Sequence, residues 1–342
     1  MRKLASIQTI KYVKPILDAD SIETVGVLGW EVVSKKGEFK PGDTCVFFEI
    51  DSLLPDIPQF EFLRKGCWND KLQKYRLKTV KLRKQLSQGL ALPTSVFPIL
   101  AGLTAGADVT ELLNIEKYEP PIPAQIVGDA RSFSWPISKT DETRVQLDDE
   151  YGFIEQLTGN PYYITLKLDG TSSTFLIDPK DDTYHVCGRN YSYKENESHN
   201  FWHISRQYNI EQGLRDLWNS GKKIAVQGEV VGPGIQKNPL GLANHDLYIF
   251  NVVDIITNSK LCLDESLEIV NKLGLRFVPI IDKGSRFDYT QDDLLDKARG
   301  KYKEHFPSAK DSQDREGIVI RSICGNISFK AINNDFLLKE SV

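Results

Sequence analysis

The sequence contains few cysteines, and none of them form the closely spaced pairs of a zinc ribbon. The five cysteines of this 342-residue chain are Cys45, Cys67, Cys187, Cys262 and Cys324. They contain no CxxC pair, and their odd number and wide separation exclude a small scaffold built on disulfides. The five histidines include no HExxH motif, and only His199 and His203 stand four residues apart. Since no third ligand accompanies that pair, we interpret both histidines as surface or packing residues.

The sequence also lacks long apolar runs and any large excess of charge. No run approaches the roughly 20 apolar residues of a membrane-spanning helix. The N-terminal stretch MRKLASIQTIKYVKP has no apolar core of a signal peptide. Because 43 Lys and Arg nearly balance 47 Asp and Glu, the net charge of −4 does not indicate a protein that coats nucleic acid or membranes. We expect an intracellular protein with no membrane partner, and with no heptad repeat we expect a monomer.

The length of the chain predicts two domains, or three. From Met1 to about Leu92, short β-rich runs are broken by turn residues, which favours a small barrel or sandwich. The stretch from Pro93 to Pro123 is richer in Pro, Gly, Ala and Thr and includes the stiff segment EPPIPAQ. We therefore predict a small β-domain at 1–95, a linker at 96–124 and a second domain at 125–342. The second domain lacks regular βαβ alternation, which predicts an α+β fold with antiparallel sheets. Two of its segments predict helices: FWHISRQYNIEQGLRDLWNSG has apolar residues at near-helical spacing, and LDESLEIVNKLG has an Asp cap and a Gly stop.

A local basic segment interrupts the otherwise balanced charge. The segment 64–84 carries nine basic residues and one acidic residue, Asp70. Interleaved Trp68, Tyr75 and Leu77 give part of it the alternation of a strand, with one face able to meet phosphates. The alternative is a solvated charged edge that discourages pairing with other strands.

The segment TLKLDGT places Lys167 at the end of an apolar strand, followed by Asp169. A charged lysine is costly to bury, so Lys167 should either reach solvent or have a depressed pKa. A depressed pKa is what an amine nucleophile needs, because a free lysine is mostly protonated at neutral pH. The pattern KxDG alone, however, occurs by chance in many sequences.

Further polar motifs follow in a fixed order along the chain. They are CGRN at Arg189, QGEVVGPGIQ at Glu229, YIFNVVD at Phe250, REGIVIR at Glu316 and ISFKAINNDFLLK at Lys330. Taken singly, each has an ordinary interpretation: the two glutamates as turn carboxylates, the arginine as a surface residue and the phenylalanine as part of the core.

Taken with Lys167, this ordered series resembles the nucleotidyltransferase motifs of the covalent superfamily of ligases and RNA-capping enzymes. The resemblance is closest to ATP-dependent RNA ligases of the ligase-2-like group, in the Naegleria-type branch with an N-terminal oligonucleotide-binding (OB) domain. It extends to SKTDETRVQ before the lysine strand and to KKGEFKPGD and KLRKQLSQGLALP near the N-terminus. It implies a nucleotidyltransferase domain with ATP-grasp-like antiparallel sheets, preceded by a small β-barrel OB domain.

The resemblance implies a three-step reaction. Lys167 attacks the α-phosphorus of ATP to form lysyl-AMP and release pyrophosphate. The AMP then passes to an RNA 5′-phosphate, and an RNA 3′-hydroxyl displaces it. Phosphoryl chemistry of this kind needs cations on the phosphates and carboxylates that hold Mg²⁺ or Mn²⁺.

The resemblance also implies a set of site residues. The residues of the reaction are Lys167, Asp169, Arg189, Glu229, Glu316 and Lys330. The residues around the nucleotide are Ile164, Thr165, Leu166 and Phe250, together with Lys167, Arg189, Glu229 and Lys330. The metal-holding carboxylates are Asp169, Glu229 and Glu316, and the predicted RNA-binding cations are Lys78, Lys81, Arg83 and Lys84.

One motif departs from the pattern of the family. Related ligases commonly have Lys-x-Lys in the last motif, whereas Ser328 and Ile332 stand two residues on either side of Lys330. The second cation is therefore unassigned, with Lys339 as a candidate. The few residues after Lys330 argue against the layout in which an OB domain follows the catalytic core, as in DNA ligases and capping enzymes. The alternatives are a DNA ligase, a GTP-dependent RNA-capping transferase, or a non-catalytic nucleic-acid-binding protein.

Overall fold

The computed structural model describes residues 3–119, 129–131 and 133–340, and they belong to two compact units. The first unit comprises Met1–Pro121, Gln146–Tyr151 and Leu337–Val342, and the second comprises Ile122–Val145 and Gly152–Phe336. The domain limits 1–95, 96–124 and 125–342 stay a prediction. Within the segment predicted as a linker, however, Leu100, Val109 and Ile115 pack into the apolar core of the first unit.

The first unit is built from short strands. Its strands are β1 (Ala5–Pro15), β2 (Ile22–Val27), β3 (Trp30–Lys35), β4 (Thr44–Phe48), β5 (Ser52–Leu54), β6 (Trp68–Asn69), β7 (Lys74–Arg76), β8 (Thr79–Leu82), β9 (Gln85–Gln88), β10 (Leu90–Pro93) and β11 (Glu116–Lys117). Its helical segments are α1 (Arg64–Cys67), α2 (Asp148–Tyr151) and the 3-10 turns Pro58–Leu63, Thr94–Val96 and Pro98–Leu100.

An antiparallel sheet in the order β10-β4-β1-β2-β3 forms the main body of this unit. A bulge between Ile10 and Tyr12 lets the long strand β1 bend, so that it pairs with β4 at one end and β2 at the other. The amide of Val33 on β3 donates to Ser87 Oγ on β9 at 2.9 Å, which ties the β8–β9 hairpin to the sheet. The strands therefore follow a curved surface around buried aromatic side chains such as Phe48 and Phe60.

The second unit contains longer strands and most of the helices. Its strands are β12 (Ala130–Arg131), β13 (Thr143–Arg144), β14 (Tyr162–Lys167), β15 (Thr171–Ile177), β16 (Tyr184–Cys187), β17 (Ser192–Tyr193), β18 (Ile224–Val231), β19 (Asp246–Asp254), β20 (Ser259–Lys260), β21 (Arg276–Phe277), β22 (Ile280–Gly284), β23 (Gly317–Ser322) and β24 (Ser328–Ile332). Its helices are α3 (Phe153–Leu157), α4 (Asn200–Gln207), α5 (Ile210–Asn219), α6 (Leu263–Lys272), α7 (Gln291–Ala298) and the start of α8 (Asn334–Glu340). Its 3-10 turns are Tyr302–Glu304 and the start of Val145–Leu147, within which the chain passes from the second unit to the first.

Two mainly antiparallel sheets organise this unit, as the missing βαβ alternation predicted. The larger follows the order β12-β17-β16-β15-β18-β19-β20, with β21 beside β19, and the smaller follows β13-β24-β23-β14-β22. The β13–β24 and β19–β21 pairs are parallel, and the other strand pairs of these two sheets are antiparallel. The chain passes from the smaller to the larger sheet at the turn from β14 to β15, which is where the KLDG motif lies.

The amphipathic segments predicted from the sequence form helices, with one break. FWHISRQYNIEQGLRDLWNSG folds as α4 and α5, separated at Asn209, whose φ is 49°. Their apolar faces pack on the larger sheet through residues such as Trp202 and Leu214. In α6 the N-cap is Cys262 and Asp264 lies in the first turn, so the aspartate is not the cap that the sequence predicted.

A disulfide joins Cys262, at the start of α6, to Cys324, in the turn between β23 and β24. Sixty-two residues separate the two cysteines, and nothing in their spacing indicates that they meet. Among the described residues, no helix is both long and apolar enough to cross a membrane.

Candidate active site

Lys167 lies at the last position of β14, at the junction of the two sheets of the second unit. Three strand pairings bring the other motifs to it. Ser172 on β15 lies opposite Glu229 on β18, Lys167 lies opposite Gly317, which follows Glu316, and Val319 lies opposite Lys330. Residues that are far apart in sequence thus converge because β14, β23 and β24 are neighbours in one sheet and β15 and β18 are neighbours in the other.

Two glycines allow the strands to approach closely at this junction. A Cβ on Gly170 would lie 2.5 Å from the Val230 carbonyl oxygen and 2.8 Å from Glu229 Cγ. A Cβ on Gly317 would lie 2.3 Å from the Ala331 carbonyl oxygen. The glycines of the KLDG and REG motifs are therefore needed for packing next to the charged residues.

The Lys167 amine lies within a group of carboxylates, with its Nζ 2.6 Å from Glu316 Oε1. Burial lowers the pKa of Lys167, but the negative charges of Glu316, Glu229 and Asp169 together outweigh it and the net pKa is raised. Of the two alternatives for Lys167, contact with solvent or a depressed pKa, this arrangement of charges does not give the second, because three carboxylates hold the proton on the amine.

The pKa of Glu229 is also raised in this buried group of charges. Burial, together with the nearby charges of Glu316 and Asp169, raises its pKa to about 8, although the charge of Lys167 opposes the rise. A carboxyl group held at such a pKa indicates that this cluster carries more negative charge than Lys167 alone can balance.

Lys330 lies on β24 beside a second cation. In the parallel pairing of β13 and β24, Arg144 is opposite Lys330. Burial, followed by the charges of Arg144 and Lys167, lowers the pKa of Lys330 to about 7, against the opposing charges of Asp141 and Glu316. Because the two cations lie close together despite their mutual repulsion, this part of the site suits a polyanion such as a triphosphate.

Sequence reasoning missed Arg144 as a member of the site. It belongs to SKTDETRVQ, which resembles the family segment before the lysine strand, but only the β13–β24 pairing places it at Lys330. Lys339, the candidate for the second cation, lies on α8 in the part of the chain that groups with the first unit.

Arg189 is half-exposed and forms a bidentate ion pair with Asp141. No ion pair between Arg189 and the carboxylates around Lys167 is found among the described residues. Since Asp141 also acts electrostatically on Lys330, the aspartate links Arg189 to the cation pair of Lys330 and Arg144.

The residues predicted around adenine occupy a mainly apolar wall. Ile164, Thr165 and Leu166 are buried on β14, and Thr165 Oγ1 accepts a hydrogen bond from Arg321 at 2.9 Å. The Leu166 amide donates to the Pro279 carbonyl at 2.9 Å, so this amide is engaged within the fold. Phe250 is half-buried on β19 and packs against the apolar cluster that contains Leu166.

The predicted RNA-binding cations lie in the first unit. Lys81, Arg83 and Lys84 are exposed on the β8–β9 hairpin, while Lys78 is half-buried before it. Arg83 and Lys84 form the two-residue turn and both have positive φ, as a type I′ hairpin turn requires. No ion pair to these three exposed cations occurs within the part of the chain that the structure describes.

Two other cations of the basic segment 64–84 already pair with carboxylates, so they are less available to bind RNA phosphates. Arg64 bonds to both Asp56 and Glu61 at 2.6 Å, and Lys74 pairs with Glu116 at 2.5 Å. The strand-like part of the segment is divided among the short strands β6, β7 and β8, which follow α1.

Comparisons with known proteins agree with this site. A family model described as RNA ligase matches residues 160–332, the range that contains Lys167, Glu229, Glu316 and Lys330. The chain belongs to the RNA ligase family. A model of an OB-fold domain matches residues 4–94 of this RNA ligase, which confirms the predicted N-terminal OB domain. A comparison with curated proteins gave no match.

Solved structures of Naegleria gruberi RNA ligase resemble the whole chain. A variant without ligand is 39% identical with a TM-score of 0.88, over 99% of this chain and 98% of that chain. A variant with ATP and manganese is 38% identical with a TM-score of 0.89, over 99% and 100%. The enzyme with pyrophosphate is 39% identical with a TM-score of 0.88, over 99% of both chains. The predicted fold and the predicted RNA ligase activity are confirmed, and the family favours this activity over DNA ligation, capping and non-catalytic binding.

Proposed function

We propose that this RNA ligase uses ATP to join an RNA 5′-phosphate to an RNA 3′-hydroxyl at the site around Lys167. Lys167 Nζ forms a bond to the α-phosphorus of ATP, and the bond from that phosphorus to the pyrophosphate oxygen breaks. The AMP is next transferred to the RNA 5′-phosphate, and attack by the 3′-hydroxyl then releases it. The observation that carries this proposal is the amine 2.6 Å from Glu316 in a carboxylate cluster beside the cations Lys330 and Arg144.

The carboxylate cluster fits a divalent cation. Asp169, Glu229 and Glu316 offer the hard oxygen ligands that Mg²⁺ and Mn²⁺ prefer, directly or through water. Burial raises the pKa of Glu229, and the charges of Glu316 and Asp169 raise it further, so the ionised cluster favours additional positive charge. A divalent cation held by these residues would supply that charge and would favour the neutral, nucleophilic form of Lys167.

Different cations of the site bind the nucleotide phosphates and the RNA 5′-phosphate. Lys330 and Arg144 face the nucleotide phosphates and neutralise charge as pyrophosphate departs. Arg189 receives the RNA 5′-phosphate by exchanging its bidentate partner Asp141 for phosphate oxygens, because guanidinium matches both anions. Phe250 stacks on the adenine, while Ile164, Thr165 and Leu166 form the wall beside it.

One chain supplies the nucleophile, the carboxylates and the cations, so we propose that the enzyme acts as a monomer inside the cell. Sedimentation of the active protein as a single chain supports the monomer. Activity that tracks a larger species contradicts it.

Label transfer from α-labelled nucleotide tests the proposed activity. We expect the purified protein with Mn²⁺ to carry covalent label from ATP after denaturing electrophoresis, and not from GTP. We also expect unlabelled RNA with 5′-phosphate and 3′-hydroxyl ends to chase this label into AMP. Label from GTP alone would indicate capping chemistry instead. Absence of label from either nucleotide, in folded protein shown by mass spectrometry not to carry AMP already, contradicts the proposal.

The β8–β9 hairpin provides a separate prediction about RNA. Reversing its charges in Lys81→Glu/Arg83→Glu/Lys84→Glu should weaken RNA binding at least tenfold at low salt and leave labelling by ATP unchanged. Because each phosphate contact on single-stranded RNA contributes about 0.7 to the logarithmic salt slope, the slope should fall by about 2. Binding is measured by fluorescence anisotropy at several salt concentrations.

A charge-matched control keeps this test specific. Lys35→Glu/Lys36→Glu/Lys40→Glu makes the same change of charge at exposed positions at the end of β3 and just after it, in the same unit. We expect it to keep most of the affinity and the salt slope of the wild type. Equal weakening by both variants would show that the hairpin has no special role, and joint loss of labelling and binding would show misfolding.

A further inference from the structure

The hydroxyl of Tyr302 lies at the centre of the nucleophile region, although no sequence motif points to it. It donates a hydrogen bond to the Lys167 carbonyl oxygen at 2.9 Å. It accepts one from the Asp169 amide at 2.8 Å and another from the Glu316 amide at 3.2 Å. The single oxygen thus bonds to the main chain of the nucleophile and of two carboxylates from different strands.

These three bonds use the full capacity of a phenol, which has one donor and two acceptor sites. Burial and the charge of Glu316 keep the pKa of Tyr302 well above its usual value, so the hydroxyl retains its proton and its donor role. The ring is fully buried and packs against Phe306, with ring centroids 6.2 Å apart. The position of the oxygen is therefore set by packing and by hydrogen bonding together.

The arrangement matters because the two sheets diverge at this point. Lys167 ends β14 in the smaller sheet, and the chain turns through Asp169 into β15 of the larger sheet. Glu316 immediately precedes β23. Apart from Tyr302, the end of β14 and the segment before β23 are joined here by the last strand pairing, Lys167 with Gly317, and by the Lys167–Glu316 ion pair.

We propose that Tyr302 is a positioning residue for lysine adenylylation. Its hydroxyl holds the main chain of Lys167, Asp169 and Glu316 in one arrangement, which keeps the amine in line with the α-phosphorus and both carboxylates beside it. This inference rests on the proposed function, since it assigns Tyr302 a part in the same first step. Tyr302 does not itself touch the nucleotide in this assignment.

The experiment compares Tyr302→Phe with the wild type in single-turnover labelling by ATP and Mn²⁺. Removing the hydroxyl keeps the ring but leaves two amides and a carbonyl without their buried partner. We expect the maximal rate of adenylylation to fall about 10- to 100-fold, as for a small misplacement of reacting groups. We expect the apparent KM for ATP to change less than about threefold, because the variant leaves the phosphate and base contacts in place.

Tyr184→Phe is the matched control, because it too removes a buried tyrosine hydroxyl, one bonded to Ser205 Oγ at 2.6 Å in the larger sheet. Both variants should lose thermal stability, Tyr302→Phe more because it leaves three main-chain groups without a partner, but only Tyr302→Phe should lose maximal rate. Mn²⁺ binding, followed by electron paramagnetic resonance of free Mn²⁺, should weaken severalfold in Tyr302→Phe alone. Equal rate losses in both variants, a Tyr302→Phe rate within about twofold of wild type, or a change confined to KM would overturn the inference. Labelling that survives in Lys167→Ala would instead overturn the proposed function itself.

Discussion

Lys167→Ala should reduce label transfer from ATP by on the order of 10⁴-fold or more, to the background of the assay. The reason is chemical, since the phosphoramidate bond of the proposed reaction forms on the Lys167 amine. The variant should still bind ATP, because Lys330, Arg144 and Phe250 are unchanged. Denaturing electrophoresis after incubation with α-labelled ATP measures the transfer, and equilibrium dialysis measures the binding.

One further variant and one further substrate make this result specific. Lys283→Ala removes a half-exposed lysine that pairs with Asp264 at 3.3 Å, away from the carboxylate cluster, and should label as the wild type does. The Lys167→Ala variant should also seal RNA that already carries AMP on its 5′-phosphate, since that substrate bypasses the first step. Labelling of Lys167→Ala at the wild-type rate would place the covalent AMP elsewhere in the chain.

Lys330→Met should abolish most of the adenylylation and, at the same time, stabilise the ligand-free protein at neutral and acid pH. We expect the rate to fall about 10²- to 10³-fold, as for removal of one preorganised group that stabilises transition-state charge. The stability effect follows from the Lys330 pKa, which burial and the charges of Arg144 and Lys167 lower from 10.5 to about 7.

The sign of the stability effect depends on pH. Between about pH 7 and 10.5 the unfolded chain binds the Lys330 proton and the folded chain does not, so wild-type stability rises with pH in this window. Methionine carries no such proton. Lys330→Met should therefore be more stable than the wild type below pH 7, by on the order of 2–4 kcal/mol, and the difference should shrink as pH approaches 10.

Urea denaturation at several pH values measures this difference, with Lys283→Met as the control at an exposed lysine. A stability difference between Lys330→Met and the wild type that stays constant from pH 6 to 10 would show that folding does not lower the pKa of Lys330. Unchanged labelling by Lys330→Met would remove Lys330 from the phosphate site. Together the two results separate the catalytic role of Lys330 from its cost in stability.

The predictive power of the sequence was greatest where local pattern and chemistry coincide. The apolar strand before Lys167 and the amphipathic segments of α4, α5 and α6 follow from periodicity and turn residues, and the structure contains them. The break at Asn209 escaped prediction because the apolar spacing continues across it. The basic segment 64–84 includes the helix α1, and some of its cations pair with acidic residues outside the segment, such as Asp56 and Glu116.

The sequence by itself determined the family and the proposed reaction, because the ordered motifs around Lys167, Glu229, Glu316 and Lys330 specify a reacting amine, carboxylates and a phosphate-binding cation. Only the tertiary structure decided which residues complete that set. Arg144 meets Lys330 through the pairing of β13 with β24, and Tyr302 reaches Lys167 from a separate 3-10 turn. The raised pKa of Lys167 likewise depends on distances between charges on different strands. Periodicity and motif order describe neighbours along the chain, whereas electrostatic and hydrogen-bonding effects depend on neighbours in space.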